Sequence, residues 1–333
     1  MAGRWSIGAW LMAIGLTLGI VGGGGLALLR ISGVSLFVEA PEPSPLVALL
    51  LLASVLLLGA AGLIFVIGLA LYVIVPALDT NAARQGYGSH ATVLASLGLA
   101  VVVSLVAQSA ALMGFALAEP GAQANGFAIS VTRGSQQMLA PIGLVVAVVS
   151  LELSLLGVLW VRIVHPGAIT WDRMGITNRH LGRNILYGLG TGVVIFFVAA
   201  VVGLVLQQFG FEQTQMELFK SIRGASPLEF ALVLLAGGLL AGFAEEAFFR
   251  GYVFQAYQEQ KGTWQAYLFS ALIFGVVHLF SLDLRAFLPT FVAIFAIGLV
   301  LAYVYNKTHS VIPTAIGHAV NNSIAFAALY FAM

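Results

Sequence analysis

The run PLEFALVLLAGGLLAGFAEEAFFRGYVF, residues 227–254, decides how the chain is read. It is long and apolar enough to cross a bilayer, yet its second half carries Glu245, Glu246 and Arg250. Each charged side chain at mid-bilayer costs about 2.5–3.5 kcal/mol on insertion scales, so a cluster of three marks a used position. In a helix, Glu246 and Arg250 stand i,i+4 in the favourable acid-before-base order. Glu245 points about 100° away around the axis. One carboxylate is tied to the guanidinium, and the other is free for chemistry. Just upstream, Ser226-Pro227-Leu228-Glu229 matches a capping box with proline at the first helical position. That sets the helix start and gives Glu229 a structural role.

The whole chain has the same character. Of 333 residues, 60% are hydrophobic and 8% charged, with mean hydropathy +1.03. Soluble domains carry about 25% charged residues, so the expectation is an all-α, polytopic transmembrane helix bundle. Lysine plus arginine (14) balances aspartate plus glutamate (13), and nothing points to nucleic acid. Cysteine is absent, which excludes disulfides, thiol nucleophiles, thiolate metal sites and cysteine-linked lipid anchors. Apolar runs at 5–29, 46–76, 91–118, 139–163, 185–207, 227–257, 264–281, 286–305 and 312–332 predict eight to nine spans. Arg4 ahead of the first run fits a signal peptide, but the many later runs favour an uncleaved span. Gly22–Gly25 gives that span a soft point. The runs 46–76 and 227–257 exceed the bilayer thickness and must tilt or protrude. No internal repeat is found, which weighs against an inverted-repeat transporter. Arg162, Arg173, Arg179 and Arg183 place loop 162–184 in the cytoplasm, with the N-terminus inside and the C-terminus outside. The expected location is the plasma (inner) membrane.

Two later spans carry paired polar residues. Phe274 and His278 share one face at i,i+4, as do His318 and Asn322. With a turn near Gly262, Glu245 precedes it by about 26 Å and His278 follows by about 24 Å, so the two are level. His318 comes about 10–12 Å after a turn near Ser310. All three align if the polar hairpin around 258–264 projects beyond the membrane surface, which Gln255, Gln258, Glu259, Gln260, Lys261, Thr263 and Gln265 suit. A buried carboxylate beside two imidazoles can activate water, with His318 and Asn322 donating to a developing oxyanion. The same Glu245, His278 and His318 could instead ligate a divalent metal such as zinc with an open water position. No His-Glu-x-x-His spacing is present to choose between these.

Glu245-Glu246-x-x-x-Arg250, Phe274-x-x-x-His278 and His318-x-x-x-Asn322, in that order on successive spans, resemble the CPBP family. These are intramembrane CAAX-type proteases and bacteriocin-processing or immunity proteins. The resemblance covers roughly 226–330, and every motif position is met. It implies an intramembrane endopeptidase in which Glu245 and His278 activate water and His318 and Asn322 form the oxyanion site. Glu246, Arg250 and Phe274 would support them. It also implies a membrane-embedded or lipidated peptide substrate, and leaves both a metalloprotease and a metal-independent glutamate mechanism open. The chain then divides into N-terminal helices of unassigned role, 1–165, and a CPBP-like catalytic domain, 166–333.

Some polar residues stay outside this scheme. Glu152, between Ser150 and Ser154 in the fourth span, is either a partner across helices or a group near the site. Glu212, Glu217, Lys220 and Arg223 form a polar, interfacial connection. Gly237, Gly238 and Gly242 permit close helix approach or loosen the helix. Trp171, Trp264 and Tyr267 are expected at the interface. Two other functions compete: a non-catalytic immunity or scaffold protein that binds a peptide at the cluster, and an ion or proton carrier.

Overall fold

Backbone amides in a bilayer find no water, so the apolar runs must satisfy their hydrogen bonds internally, as helices. A computed structural model of the chain describes residues 10, 11, 13–18, 20, 21, 86–118, 122–125, 128–133, 136–139, 141–177, 179–211, 215–278 and 284–331. The chain falls into two units, 1–82 and 83–333. In the first, the described positions between 10 and 21 are helical, and the Thr17 hydroxyl donates to the Ala13 carbonyl at 2.9 Å. The expected span 46–76 and the soft point at Gly22–Gly25 lie outside the described residues.

The second unit opens with α1 (His90–Ala118). A three-stranded antiparallel meander follows: β1 (Ala122–Asn125), β2 (Ala128–Arg133) and β3 (Gln136–Leu139). Helix α2 (Pro141–Leu159) runs on as a π-wound turn, Trp160–Val164, before α3 (Leu181–Gln208). A 3₁₀ segment, Gln215–Gly224, leads to α4 (Pro227–Lys261), then α5 (Thr263–Val277), α6 (Leu284–Thr308) and α7 (Val311–Phe331). The membrane body is the expected all-α bundle, and each described helix covers an expected span. The meander between α1 and α2 was not foreseen. Among the described residues, five stretches are long and apolar enough to cross a membrane: His90–Gln108, Gly143–Val164, Leu181–Gln208, Pro227–Lys261 and Phe287–Thr308. Helix α5 is shorter than its expected run of 264–281, because it stops at Val277.

Helix α4 organises the rest. Its capping box forms as the sequence requires: Ser226 Oγ accepts from the Glu229 amide at 3.3 Å, and Glu229 Oε2 accepts from the Ser226 amide at 2.7 Å. Two stretches, Leu234–Leu240 and Ala247–Phe254, are π-wound, and they flank the α-helical Ala241–Glu246. Such local underwinding re-aims side chains and recurs at functional sites. Between the two, Gly242 lets α7 approach closely: a Cβ there would lie 2.8 Å from the Ala315 carbonyl oxygen and 2.9 Å from the Ala319 nitrogen. Phe248, Phe249, Tyr252 and Phe254 of α4 are fully buried with Phe274 of α5 and Tyr305 of α6. This ring-rich core fixes the α4–α5–α6 arrangement around the acidic cluster.

The α4–α5 turn falls at Gly262, whose φ of 92° suits glycine. A polar mesh holds this end. Gln258 Nε2 donates to Thr263 Oγ1 and Asn306 Oδ1, both at 3.1 Å, and Asn306 Nδ2 donates to Tyr267 Oη at 2.9 Å. Arg173 pairs with Glu259 at 3.7 Å, and Gln260 bonds the Gly88 carbonyl. Buried Tyr87 donates to the Arg173 carbonyl at 3.1 Å; burial pushes its phenol above the usual range, so it stays a donor.

Candidate active site

Glu245 and Glu246 end the α-helical turn of α4, and both are buried, at 8% and 0% exposure. As the spacing requires, Arg250 Nη1 donates to Glu246 Oε1 at 2.6 Å, with neither side chain exposed. The guanidinium is held further than the sequence indicates. Its Nη2 donates to the Gly298 carbonyl of α6 at 3.2 Å, and its Cζ lies 4.3 Å from the centre of the Phe274 ring. A charge this deep is tolerated because partners meet it on three sides.

The level arrangement expected from the hairpin count is met. His278 Nε2 lies 3.4 Å from Glu245 Oε2, and His318 Nε2 lies 4.0 Å from the same oxygen. His278 is not inside a helix, as the sequence suggested, but caps the C-terminus of α5. Its Nδ1 is 2.7 Å from the Phe274 carbonyl, which can only accept, so Nδ1 carries a proton, and Nε2 faces Glu245. His318 is buried and its Nδ1 lies 3.2 Å from Glu246 Oε1, so Glu246 joins Arg250 to His318. Phe274 wedges among these groups, with its ring 4.6 Å from His278, 5.8 Å from His318 and 5.0 Å from Phe249. Asn322 sits one turn beyond His318, where its Nδ2 donates to the Gly237 carbonyl at 2.9 Å. One of its two N–H bonds is committed there, which leaves the second.

The candidate metal set converges without assembling. Among the described residues, no group of three or more His, Cys, Asp or Glu side chains is spaced to hold a metal ion. His318 stands off Glu245 at 4.0 Å because Glu246 holds its other nitrogen. Glu245 Oε2 is instead a buried acceptor without a hydrogen-bond partner.

Residues 227–324, which contain all seven motif positions, match the family model described as type II CAAX prenyl endopeptidase Rce1-like. This segment belongs to the CPBP family of CAAX-type intramembrane proteases. The match runs from the start of α4 into α7, so the CPBP segment is the part of the chain built around the acidic cluster. With its long apolar helices, the protein is an integral, multi-pass membrane protein, and its segment 227–324 is of the CAAX-endopeptidase type. Comparison with curated proteins and with solved structures returned no match.

Sequence reasoning missed two contributors, the Gly298 carbonyl on Arg250 and the ring of Phe249, and left the role of Glu152 open between two readings. Glu152 carried a signal, as an acid in mid-span. Its partner, Glu245, lies more than ninety residues further along the chain, beyond α3, where axial counting cannot reach.

Proposed function

We propose that the protein is an intramembrane endopeptidase in which Glu245 and His278 activate the attacking water. The observation that carries this is the convergence of Glu245 Oε2 and His278 Nε2 at 3.4 Å. With Nδ1–H given to Phe274, both facing atoms are acceptors in the neutral imidazole, and a molecule that donates to both is what the pair can hold. Water is such a molecule. Glu245 takes one of its protons as the oxygen attacks the peptide carbonyl. The resulting oxyanion is met by His318 and by the second N–H of Asn322. Glu245 then returns the proton to the leaving amide nitrogen, giving a carboxylic acid and an amine. Glu246 and Arg250 orient His318 and take no part in bond making.

The mechanism proposed is metal-independent: Glu245 Oε2 and His278 Nε2, 3.4 Å apart, hold the water directly. The substrate is a membrane-associated or lipidated peptide, by analogy with the prenylated substrates named in the family description. The site of action is the plasma membrane, in keeping with the expected topology. A quenched-fluorescent peptide with a prenylated cysteine near its C-terminus, presented in vesicles holding the purified protein, tests this. Glu245→Gln should insert and fold while cleavage falls about 10²–10⁴-fold, the usual worth of a general base. Full activity of that variant would overturn the assignment.

A further inference from the structure

Helix α3 takes no part in the mechanism above and lies wholly upstream of the matched segment 227–324. Much of its surface is exposed apolar side chain, such as Leu186, Phe197 and Leu204. Its buried residues, Asn184, Gly188, Thr191, Gly192 and Ile195, form one narrow band. That band meets α7 in three interlocking contacts. A Cβ at Gly188 would lie 2.6 Å from Ile316 Cβ, one at Gly192 2.6 Å from Val320 Cγ1, and one at Gly317 2.7 Å from Thr191 Cγ2. Each glycine is a hole filled by a β-branched side chain of the other helix. Such side chains are stiff at χ1, so a methyl added in any hole has to part the backbones. Just ahead of α7, Asn184 Nδ2 also donates to Ser310 Oγ at 3.3 Å. The seam fixes α7 in height and in rotation.

What it fixes stands on the other side of α7. His318 and Asn322 each follow a seam residue, Ile316 and Val320, by two positions, which turns a helix by about 200°. The back of α7 rests on α3, and its front gives His318 to Glu246 and Asn322 to the Gly237 carbonyl. Ile316 and Val320 are apolar and could face acyl chains without a hydrophobic cost, so covering them is no reason for the seam; the close fit is. We propose that α3 belongs to the catalytic unit, with Gly188 and Gly192 as positioning residues that seat α7 and so hold His318 and Asn322 at the site. This rests on the assignment of His318 and Asn322 to the oxyanion. Carbon atoms rest about 3.5–4.0 Å apart, so a Cβ at 2.6 Å opens the seam by about 1 Å. A misplacement of about 1 Å costs up to about 10²-fold in rate, and the effect reads on kcat.

A control lies on the same helix: Gly190 is exposed, and a Cβ there meets nothing within 4 Å. The test compares Gly190→Ala, Gly192→Ala and Gly192→Ala/Val320→Gly in vesicles with the same prenylated peptide, each below its melting temperature. Gly190→Ala should keep wild-type kcat and KM. Gly192→Ala should fold and lose about ten- to a hundredfold in kcat, with KM within about twofold. The double variant removes the Val320 atoms that the new methyl meets, and should recover most of the lost kcat although it places a glycine inside α7. Wild-type kcat in Gly192→Ala overturns the proposal, as does equal loss in Gly190→Ala or no recovery in the double variant. A Gly192→Ala variant that fails to fold, or a kcat that only tracks melting temperature across the three, makes the seam purely structural and overturns it too. Wild-type kcat in Asn322→Ala is a separate result: it defeats the oxyanion reading, and the proposal with it, whatever the glycine variants do.

Discussion

Replacing Arg250 by methionine tests the energetic logic of the buried cluster. The guanidinium is fully buried and gives one hydrogen bond to Glu246 and one to the Gly298 carbonyl, with its plane near the Phe274 ring. Methionine keeps much of the volume and removes all three interactions. Glu246 then remains in a dry site with only the His318 contact at 3.2 Å. Breaking a buried pair by deleting one partner costs about 3–5 kcal/mol, because the remaining charge is uncompensated. That is roughly two to nearly four decades in the ratio of folded to unfolded protein. Neutralising the other partner should relieve most of it. In Glu246→Gln/Arg250→Met the amide oxygen still accepts from His318 and no charge is stranded, so the double variant should lie within about 1–2 kcal/mol of wild type. Equilibrium unfolding in mixed dodecyl maltoside and dodecyl sulfate micelles, followed by circular dichroism, measures both. An Arg250→Met variant within about 1 kcal/mol of wild type would refute the reasoning, as would a double variant no more stable than the single one.

Other consequences are open to the same kind of measurement. Gly242→Val places a side chain where a Cβ already meets the Ala315 and Ala319 backbone at under 3 Å. It should push α7 from α4, destabilise by about 1–3 kcal/mol, and lower kcat by parting His318 from Glu246; unchanged unfolding and turnover would contradict the close approach. Ser226→Ala should cost about 1 kcal/mol through the lost cap while leaving turnover intact, read by the same unfolding assay and the peptide assay. Exhaustive chelation followed by metal analysis should leave cleavage unchanged, and loss of activity restored by added zinc would reverse the metal-independent assignment.

The elements that sequence made legible are those with local causes. The start of α4 follows from Ser226, Pro227 and Glu229, and the Glu246–Arg250 pair from helical spacing. Glu245 and His278 meet because two antiparallel helices joined at Gly262 have calculable lengths. What stayed hidden has non-local causes. The π-winding on both sides of Ala241–Glu246 answers to packing against α7 and the aromatic core, which no periodicity in the run reveals. Helix α5 stops at Val277 although apolar residues continue, because His278 bonds back to Phe274. The packing of α2 on α4, and with it the place of Glu152, is not something that span counting supplies.

The shortness of α5 has a consequence for the lipid. Fifteen residues of α-helix reach about 22 Å, against a hydrocarbon layer of about 30 Å. A bilayer beside so short a wall must thin, or admit polar matter at its end, and the energy of doing so grows with thickness. The end of that wall is His278. The depth at which water can meet a peptide is therefore a property shared by the protein and its host membrane. Vesicles of longer acyl chains should turn substrate over more slowly, with no change to any residue of the site.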